Sequence, residues 1–291
     1  MRCDMHVHTV HSGMCTIPVL RRWCRESYND PLALRERLEG RGMDLITVTD
    51  HDSIDAAERL RSLPNFFLSE EVTCRTPDGN EFHMGVYDIT ERDHTELQRR
   101  RDDLPALLAY LAERELLFSI NHAFSGLTGR RSEADFRWFQ QRFPLVETRN
   151  GHMLKTCNRA ARRMARANAQ LPIGGSDAHT LHAAGRTYTE VPGARNKEEF
   201  FAGLRAGKAR VRGESGTYWK LTQAVLAIGG GMLREHPWTA LLLPLSVAAP
   251  FITLGNYANE RLFAAFWQRR LALPSGAGRG PLRAPASATA S

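Results

Sequence analysis

Leu171-Pro172-Ile173-Gly174-Gly175-Ser176-Asp177-Ala178-His179 is a short apolar run that ends on an acid and a histidine two residues apart. Such a run reads as a buried strand that delivers polar side chains at its C-terminal tip. Side chains two apart on a strand share a face, so Asp177 and His179 point the same way. The spacing recurs near the start of the chain in Asp4-Met5-His6-Val7-His8, where both imidazoles can reach one metal. Working outward, strands are predicted at 44–49, 66–73, 117–122, 145–150 and 188–191. An extra strand at 81–89 is turned from its predecessor by Pro77-Asp78-Gly79-Asn80. Helical patterns at 31–41, 53–60, 95–115, 133–142, 155–168 and 197–206 lie between them. Strands alternating with helices imply an α/β fold with a parallel sheet. Seven such units over residues 1–213 predict a closed or nearly closed barrel.

The C-terminal strand ends of such a barrel form its active face. Asp50-His51-Asp52 follows the second strand, and Glu71 and His83 sit on the two arms of the Pro77–Asn80 turn. His122 ends Phe118-Ser119-Ile120-Asn121. A set of His, Asp and Glu without Cys suits Zn²⁺, Mn²⁺ or Fe²⁺, and ligand type alone does not choose among them. His94, His152, His182 and His236 fall on helical or loop segments and read as structural or exposed; His11 lies close to the first motif and is left open.

The 291 residues carry 39 basic and 32 acidic side chains, a formal charge of +7. That excess suits an anionic partner such as a phosphate ester or a lipid surface. Five cysteines without a CxxC pair argue against a disulfide framework and for a reducing compartment. Cys3 and Cys15, which flank the first histidines, read as small packing residues. No apolar signal region follows Met1, so the catalytic part is expected in the cytoplasm. There is no P-loop, no G-x-S-x-G and no HCx₅R pattern, which removes nucleotide-driven work and these Ser or Cys nucleophiles.

These motifs together resemble the polymerase and histidinol phosphatase (PHP) family. Asp4 to Thr9 with Ser12 resembles its opening HxH motif, Thr49-Asp50-His51-Asp52 its second, and Glu71-Val72-Thr73 its acid motif, in a register that selects Glu71 over Glu70. His83 before Met84-Gly85-Val86, His122 in Asn121-His122-Ala123, and Gly175-Ser176-Asp177-Ala178-His179 resemble the later ones. Residues 150–193 resemble the closing PHP-associated segment. The resemblance implies a distorted (β/α)₇ barrel with two or three divalent metals. It places His6, His8, Glu71 and Asp177 on one metal, with Glu71 bridging to a second held by His83 and His122. His51 and His179 hold a third. One departure stands out: an Asp usual a few residues after HxH is replaced by Ser12-Gly13-Met14-Cys15. The third metal is then short of a ligand, for which water, His11 or Cys15 are candidates.

The implied chemistry is attack of metal-generated hydroxide on a small phosphomonoester, with catalytic roles for His51, Glu71, Asp177 and His179. Clamps for the substrate phosphate are sought among Arg130, Arg131, Arg149 and Arg186 on predicted loops, with Arg186 and Arg149 preferred. Asn150 and Asn158 resemble polar family positions and are given no catalytic role. The alternatives are hydrolysis of a carbamate, ester or amide on the same metals, or a non-catalytic membrane-tethered binding module. No basic–aromatic interleaving is present, so long nucleic acid is not expected as a partner.

After Gly213 the character changes. Residues 221–233 are apolar with Gly229-Gly230-Gly231, and residues 238–255 carry no charge. Residues 214–273 read as a hydrophobic helical extension. Lys220 precedes these arms; Arg261, Arg269, Arg270, Arg279 and Arg283 follow. Positive charge on both sides fits two arms dipping into the inner face of a membrane through residues 219–255. The soluble alternative is a helical hairpin packed on the barrel or on a second subunit. Residues 274–291, rich in Pro, Gly, Ala and Ser, read as disordered.

Overall fold

The computed structural model describes residues 1–272; the tail expected to be disordered, 274–291, lies outside them. The fold is mixed α/β. A five-stranded sheet has the order β2 (Ser69–Arg75), β3 (Glu81–Tyr87), β4 (Leu117–Ile120), β5 (Leu145–Asn150) and β6 (Leu171–Gly175). A second sheet of three strands sets β7 (Thr187–Glu190) between β1 (Arg2–Cys3) and β8 (Arg210–Gly213).

The parallel sheet expected from the alternation of strands and helices holds only in part, and the hairpin expected at Pro77–Asn80 is present. Because that turn reverses the chain, β3 runs antiparallel to both β2 and β4, and only β4, β5 and β6 are parallel. The stretches 2–8 and 44–49 are not continuous strands either. They run extended between the sheets and touch their neighbours through single bridges: Cys3 with Leu45, Ile46 with Phe66, His51 with Glu71, and Val7 with Ala178. The ordered ladders therefore stop short of a closed barrel. The polar side chains of these stretches turn toward one another at the end where β6 terminates.

Local chemistry explains most helix boundaries. Asp30 caps α1 (Pro31–Glu39) by accepting from the backbone of Leu32 and Ala33. The long helix expected over 95–115 is two, α3 (Glu91–Arg100) and α4 (Leu104–Glu113), after the short α2 (Ala57–Leu60). Asp103 caps α4 and Pro105 sits in its first turn, so the chain restarts there. Reciprocal capping boxes start α3 at Thr90/Asp93 and α5 (Glu133–Arg142) at Ser132/Asp135. Helix α6 (Lys155–Ala167) buries Cys157, Ala160, Ala161 and Met164, and α7 (Lys197–Arg205) buries Phe200, Phe201 and Leu204. The apolar end of the chain forms α8 (Tyr218–Glu235), a 3₁₀ stretch (Pro237–Ala248) and α9 (Ala249–Arg270). Ala264 and Trp267 of α9 join the core that Phe136, Phe139 and Met164 line.

Gly175 controls how closely β6 approaches the first histidines. A Cβ there would lie 2.3 Å from the backbone nitrogen of His6 and 2.4 Å from its Cβ. Gly175→Ala should cost roughly 1–3 kcal/mol through this overlap, read as a lower urea midpoint, and should weaken metal retention. Gly229→Ala in α8 meets nothing within 4 Å and should leave stability unchanged or raise it by about 0.5–1 kcal/mol.

Candidate metal centre

His6 and His8 flank Val7, which packs in an apolar cluster with Leu34, Ile46 and Ala178. Both histidines therefore face the opposite side, fully buried. Their Nε2 atoms lie 3.0 Å apart. The Nδ1 of His6 is 2.9 Å from the Glu147 carboxylate, which only accepts, so that nitrogen carries the proton. The Nδ1 of His8 is 2.9 Å from Ser12 Oγ, and this hydroxyl donates to Asp50 at 2.6 Å. It must then accept from His8. Both rings thus hold their Nδ1–H outward and turn Nε2 inward, the orientation that outer partners impose on metal-binding histidines.

Two carboxylates meet them. Glu71 and Thr73 share a face of β2, and Thr73 pairs with His83 across the hairpin, so Glu71 and His83 lie on one side. Glu71 Oε2 is 3.0 Å from His6 Nε2, 3.4 Å from His8 Nε2 and 3.5 Å from His51 Nδ1. Its Oε1 is 3.1 Å from His122 Nε2, 3.7 Å from His83 Nδ1 and accepts from Asn121 Nδ2 at 2.8 Å. One carboxylate therefore straddles two histidine groups. Asp177 Oδ1 lies 3.2 Å from His8 Nε2, 3.5 Å from His6 Nε2 and 3.8 Å from His179 Nδ1, while Oδ2 is steadied by Asn150 at 2.9 Å. Glu70, on the opposite face, pairs with His94 at 2.8 Å, which makes His94 structural and supports the register that selects Glu71.

All eight metal residues named from the sequence converge, in overlapping triads whose donor atoms lie within 4.8 Å of one another. The donor chemistry fits divalent metal: imidazole and carboxylate converge, and His83 Nδ1, His122 Nδ1 and His179 Nε2 are buried without a hydrogen-bond partner. Two of its residues have unusual backbone. His122 and Asp177 have φ of 27° and 53°, left-handed values that non-glycine residues adopt only under local constraint.

Three residues of the centre were not foreseen. Glu26 faces the third group, its carboxylate 3.6 Å from His51 Nε2 and 3.5 Å from His179 Nε2. It faces the group for which His11 and Cys15 were candidate ligands; none of the three belongs to the compact triads among the described residues, but Glu26 is the one with a carboxylate against both His51 and His179. The signal for Glu26 was present but indirect. Loop 9–30 holds only two acids, and Asp30 is spent capping α1. Glu147 orients His6 and also accepts from the backbone of His122 at 2.9 Å. His152, read as structural or exposed, lies beside Asp177 and His179 with a metal-capable nitrogen.

The candidate arginines divide. Arg186 lines a cavity of about 320 Å³ with His152, Ser176, Thr180, His182 and, from α8, Lys220. Arg149 turns away, bonds the carbonyl of Gly213 and lines a separate hollow with Arg162 and Arg166. Arg131 is buried and ties the carbonyl of Glu81 at 2.6 Å, while Arg130 is exposed. Neither is part of the histidine–carboxylate groups.

Burial would lower His6, yet Glu71, Asp177 and Glu147 hold it well above its ordinary range. His51 is raised to about 9 against its burial, by Glu71 and Glu26, and His179 is raised against its burial by Glu26 and Asp177. His8 is pushed down to about 3 by burial and the neighbouring His179. Glu71, Asp177 and Glu26 stay well below their usual ranges because imidazoles outweigh the burial that would raise them.

A family model described as PHP-associated matches residues 155–209. PsfC from Pseudomonas syringae superposes with a TM-score of 0.58 at 18% identity, over 79% of this chain and 98% of PsfC. A two-domain protein from Bacteroides vulgatus, described as containing a predicted PHP-like metal-dependent phosphoesterase, superposes with a TM-score of 0.56 at 15% identity. That match covers 73% of this chain, which spans 64% of the length of the Bacteroides protein. At these identities the likeness is one of fold. A search of curated proteins finds none that matches this sequence. The PHP-associated match over residues 155–209 and the likeness of fold agree with the resemblance to the PHP family that the sequence motifs carry.

Two outcomes follow from the geometry. In chelator-treated protein the neighbouring carboxylates favour protons on His6, His51 and His179 that a metal must displace, whereas the imidazoles hold Glu71, Asp177 and Glu26 ionised. Metal loading should therefore release more than one proton per chain, and affinity should rise with pH until His51 titrates near 9. Calorimetry in buffers of different ionisation enthalpy reads this directly; no release would remove those imidazoles from the ligand set. Glu26→Ala should lower the metal retained after dialysis by about one ion per chain, the third site having lost its carboxylate.

Proposed function

We propose that this protein is a metal-dependent hydrolase, acting as a phosphoesterase on a small phosphomonoester. The observation that carries this reading is the Glu71 carboxylate, one oxygen toward His6, His8 and His51 and the other toward His83 and His122. A shared carboxylate between two imidazole groups is the arrangement for adjacent divalent ions. In the proposed assignment, His6, His8 and Asp177 hold one ion, His83 and His122 a second across Glu71, and His51, His179 and Glu26 a third. Bound divalent ions supply positive charge to a phosphoryl oxygen and acidify a water. The ions are two or three of Mn²⁺, Zn²⁺ or Fe²⁺. The single bridges around the centre support reading the two sheets as parts of a distorted (β/α)₇ barrel.

The chain's own groups do the rest. Glu147, Ser12 and Asn150 fix the rings and carboxylates they bond, so little reorganisation is needed on reaction. His152, with its pKa lowered by burial, stands between the centre and the Arg186 cavity and is placed to meet a leaving oxygen. Arg186 and Lys220 offer cations to a substrate anion, both now satisfied by Glu214. The cavity's volume of about 320 Å³ favours a small ester over a polymer. The description of the Bacteroides protein as a PHP-like metal-dependent phosphoesterase agrees with this reaction class.

A panel of phosphomonoesters with Mn²⁺, assayed for inorganic phosphate, tests the reading. Turnover of esters or amides without phosphate release would replace it with another hydrolysis on the same centre. Glu71→Gln should lower kcat by more than about tenfold, equivalent to about 1.4 kcal/mol of barrier, with the fold retained. Lys220→Ala should instead raise KM several-fold with little change in kcat.

A further inference from the structure

The stretch Pro237–Arg270 is long and apolar enough to cross a membrane by length and composition, but α9 is fixed to the protein along one side. Glu260, buried, accepts from the backbone of Gly126 at 2.7 Å and of Leu127 at 3.0 Å. Ala264 and Trp267 lie in the core, and Arg270 pairs with Glu133 at 2.5 Å. A spanning α9 would break these contacts and leave Glu260 unpaired in hydrocarbon. Helix α8 is seated too. A Cβ on Gly231 would meet the Tyr28 ring at 2.4 Å, and Glu235 pairs with Arg25 at 2.7 Å.

The opposite side is bare and apolar. Leu241, Leu245, Val247 and Phe251 are 82%, 67%, 70% and 71% exposed. Trp238 meets Trp23 edge-on at 5.0 Å, which joins this surface to a loop whose Ile17 and Val19 are also exposed. Contiguous apolar surface of this extent marks an interaction site on a soluble chain.

We propose that this face is a docking surface for a lipid bilayer, with the 3₁₀ stretch and the start of α9 lying in the plane of the interface. Its cationic rim is drawn from exposed arginines that flank these segments in sequence: Arg21 and Arg22 between Val19 and Trp23, Arg234 before Trp238, and Arg261 on α9. Between residues 236 and 272 the only acid is Glu260, which is buried. Anionic headgroups complement such a rim, and the paired tryptophans suit the boundary between headgroup and acyl chain. The 3₁₀ stretch bonds its backbone internally, apart from the position of Pro244, which has no N–H to donate. A second copy of the chain fits less well, because a two-fold pairing through this face would set arginine rims together, and Glu235, the exposed acid beside Arg234, is already paired with Arg25. This surface is independent of the hydrolase reading.

Full-length protein sedimented with vesicles of phosphatidylcholine, alone or with phosphatidylglycerol, tests the proposal. Binding should favour the anionic vesicles, and acyl chains brominated near the headgroup should quench tryptophan emission. The triple variant Leu241→Glu, Leu245→Glu, Phe251→Glu should lower the partition by about tenfold or more with metal content unchanged. Arg21→Glu with Arg22→Glu should abolish the preference for anionic lipid. Wild-type protein that stays in the supernatant with both vesicle types overturns the proposal, and a stable dimer in that case assigns the face to a second copy. Equal binding by the triple variant also overturns it.

Discussion

Glu71 is a fully buried carboxylate held between two sets of imidazoles, and the rest of the fold is arranged to make that arrangement tolerable. An isolated charge at such a depth costs several kcal/mol; surrounded by histidines it stays ionised instead. The hairpin of β2 and β3 sets Glu71 and His83 on one face. β4 ends where His122 can reach Oε1, and Gly175 lets the strand carrying Asp177 lie against His6. Buried polar networks are costly when half satisfied. Here Glu147, Asn121, Asn150, Ser12 and Asp50 occupy outward positions of the network, and the lone pairs left over point inward.

Much of this centre was legible in the sequence because strands have a period of two. His6 with His8, and Asp177 with His179, could be assigned a shared direction from spacing, although Asp177 lies beyond β6 with left-handed backbone, and Glu71 was separated from Glu70 by its resemblance to the family's acid motif. The seven-unit closed barrel was less legible. Alternation of strands and helices does not say whether neighbouring stretches keep regular hydrogen bonding, and 2–8 and 44–49 give it up where their side chains turn inward. Glu26 was not legible, because loop 9–30 lacks periodicity and nothing in it fixes where a side chain points. Its assignment requires knowing that Asp30 is committed to a cap.

The end of the chain carries the opposite lesson. Its composition is plainly apolar, yet composition says nothing about which side is covered. The helix that looked like part of a membrane arm lays Ala264 and Trp267 into the core. The helix before it brings Lys220 to the cavity beside His152. Arg25, next to Glu26, is clamped by Glu235 at the end of α8. The extension and the third histidine group are thus joined through adjacent residues of one loop.

The central claim is that Glu71 is shared by two metals. Crystals of the protein equilibrated with Mn²⁺ and measured for anomalous scattering at the manganese edge test it most directly. The account predicts two strong peaks on either side of the Glu71 carboxylate, about 3.5–4 Å apart, one among His6, His8 and Asp177 and the other beside His83 and His122. A third, weaker peak is expected between His51, His179 and Glu26. Crystals with no peak at Glu71, or with a single ion that leaves one of its oxygens without metal, would contradict the account.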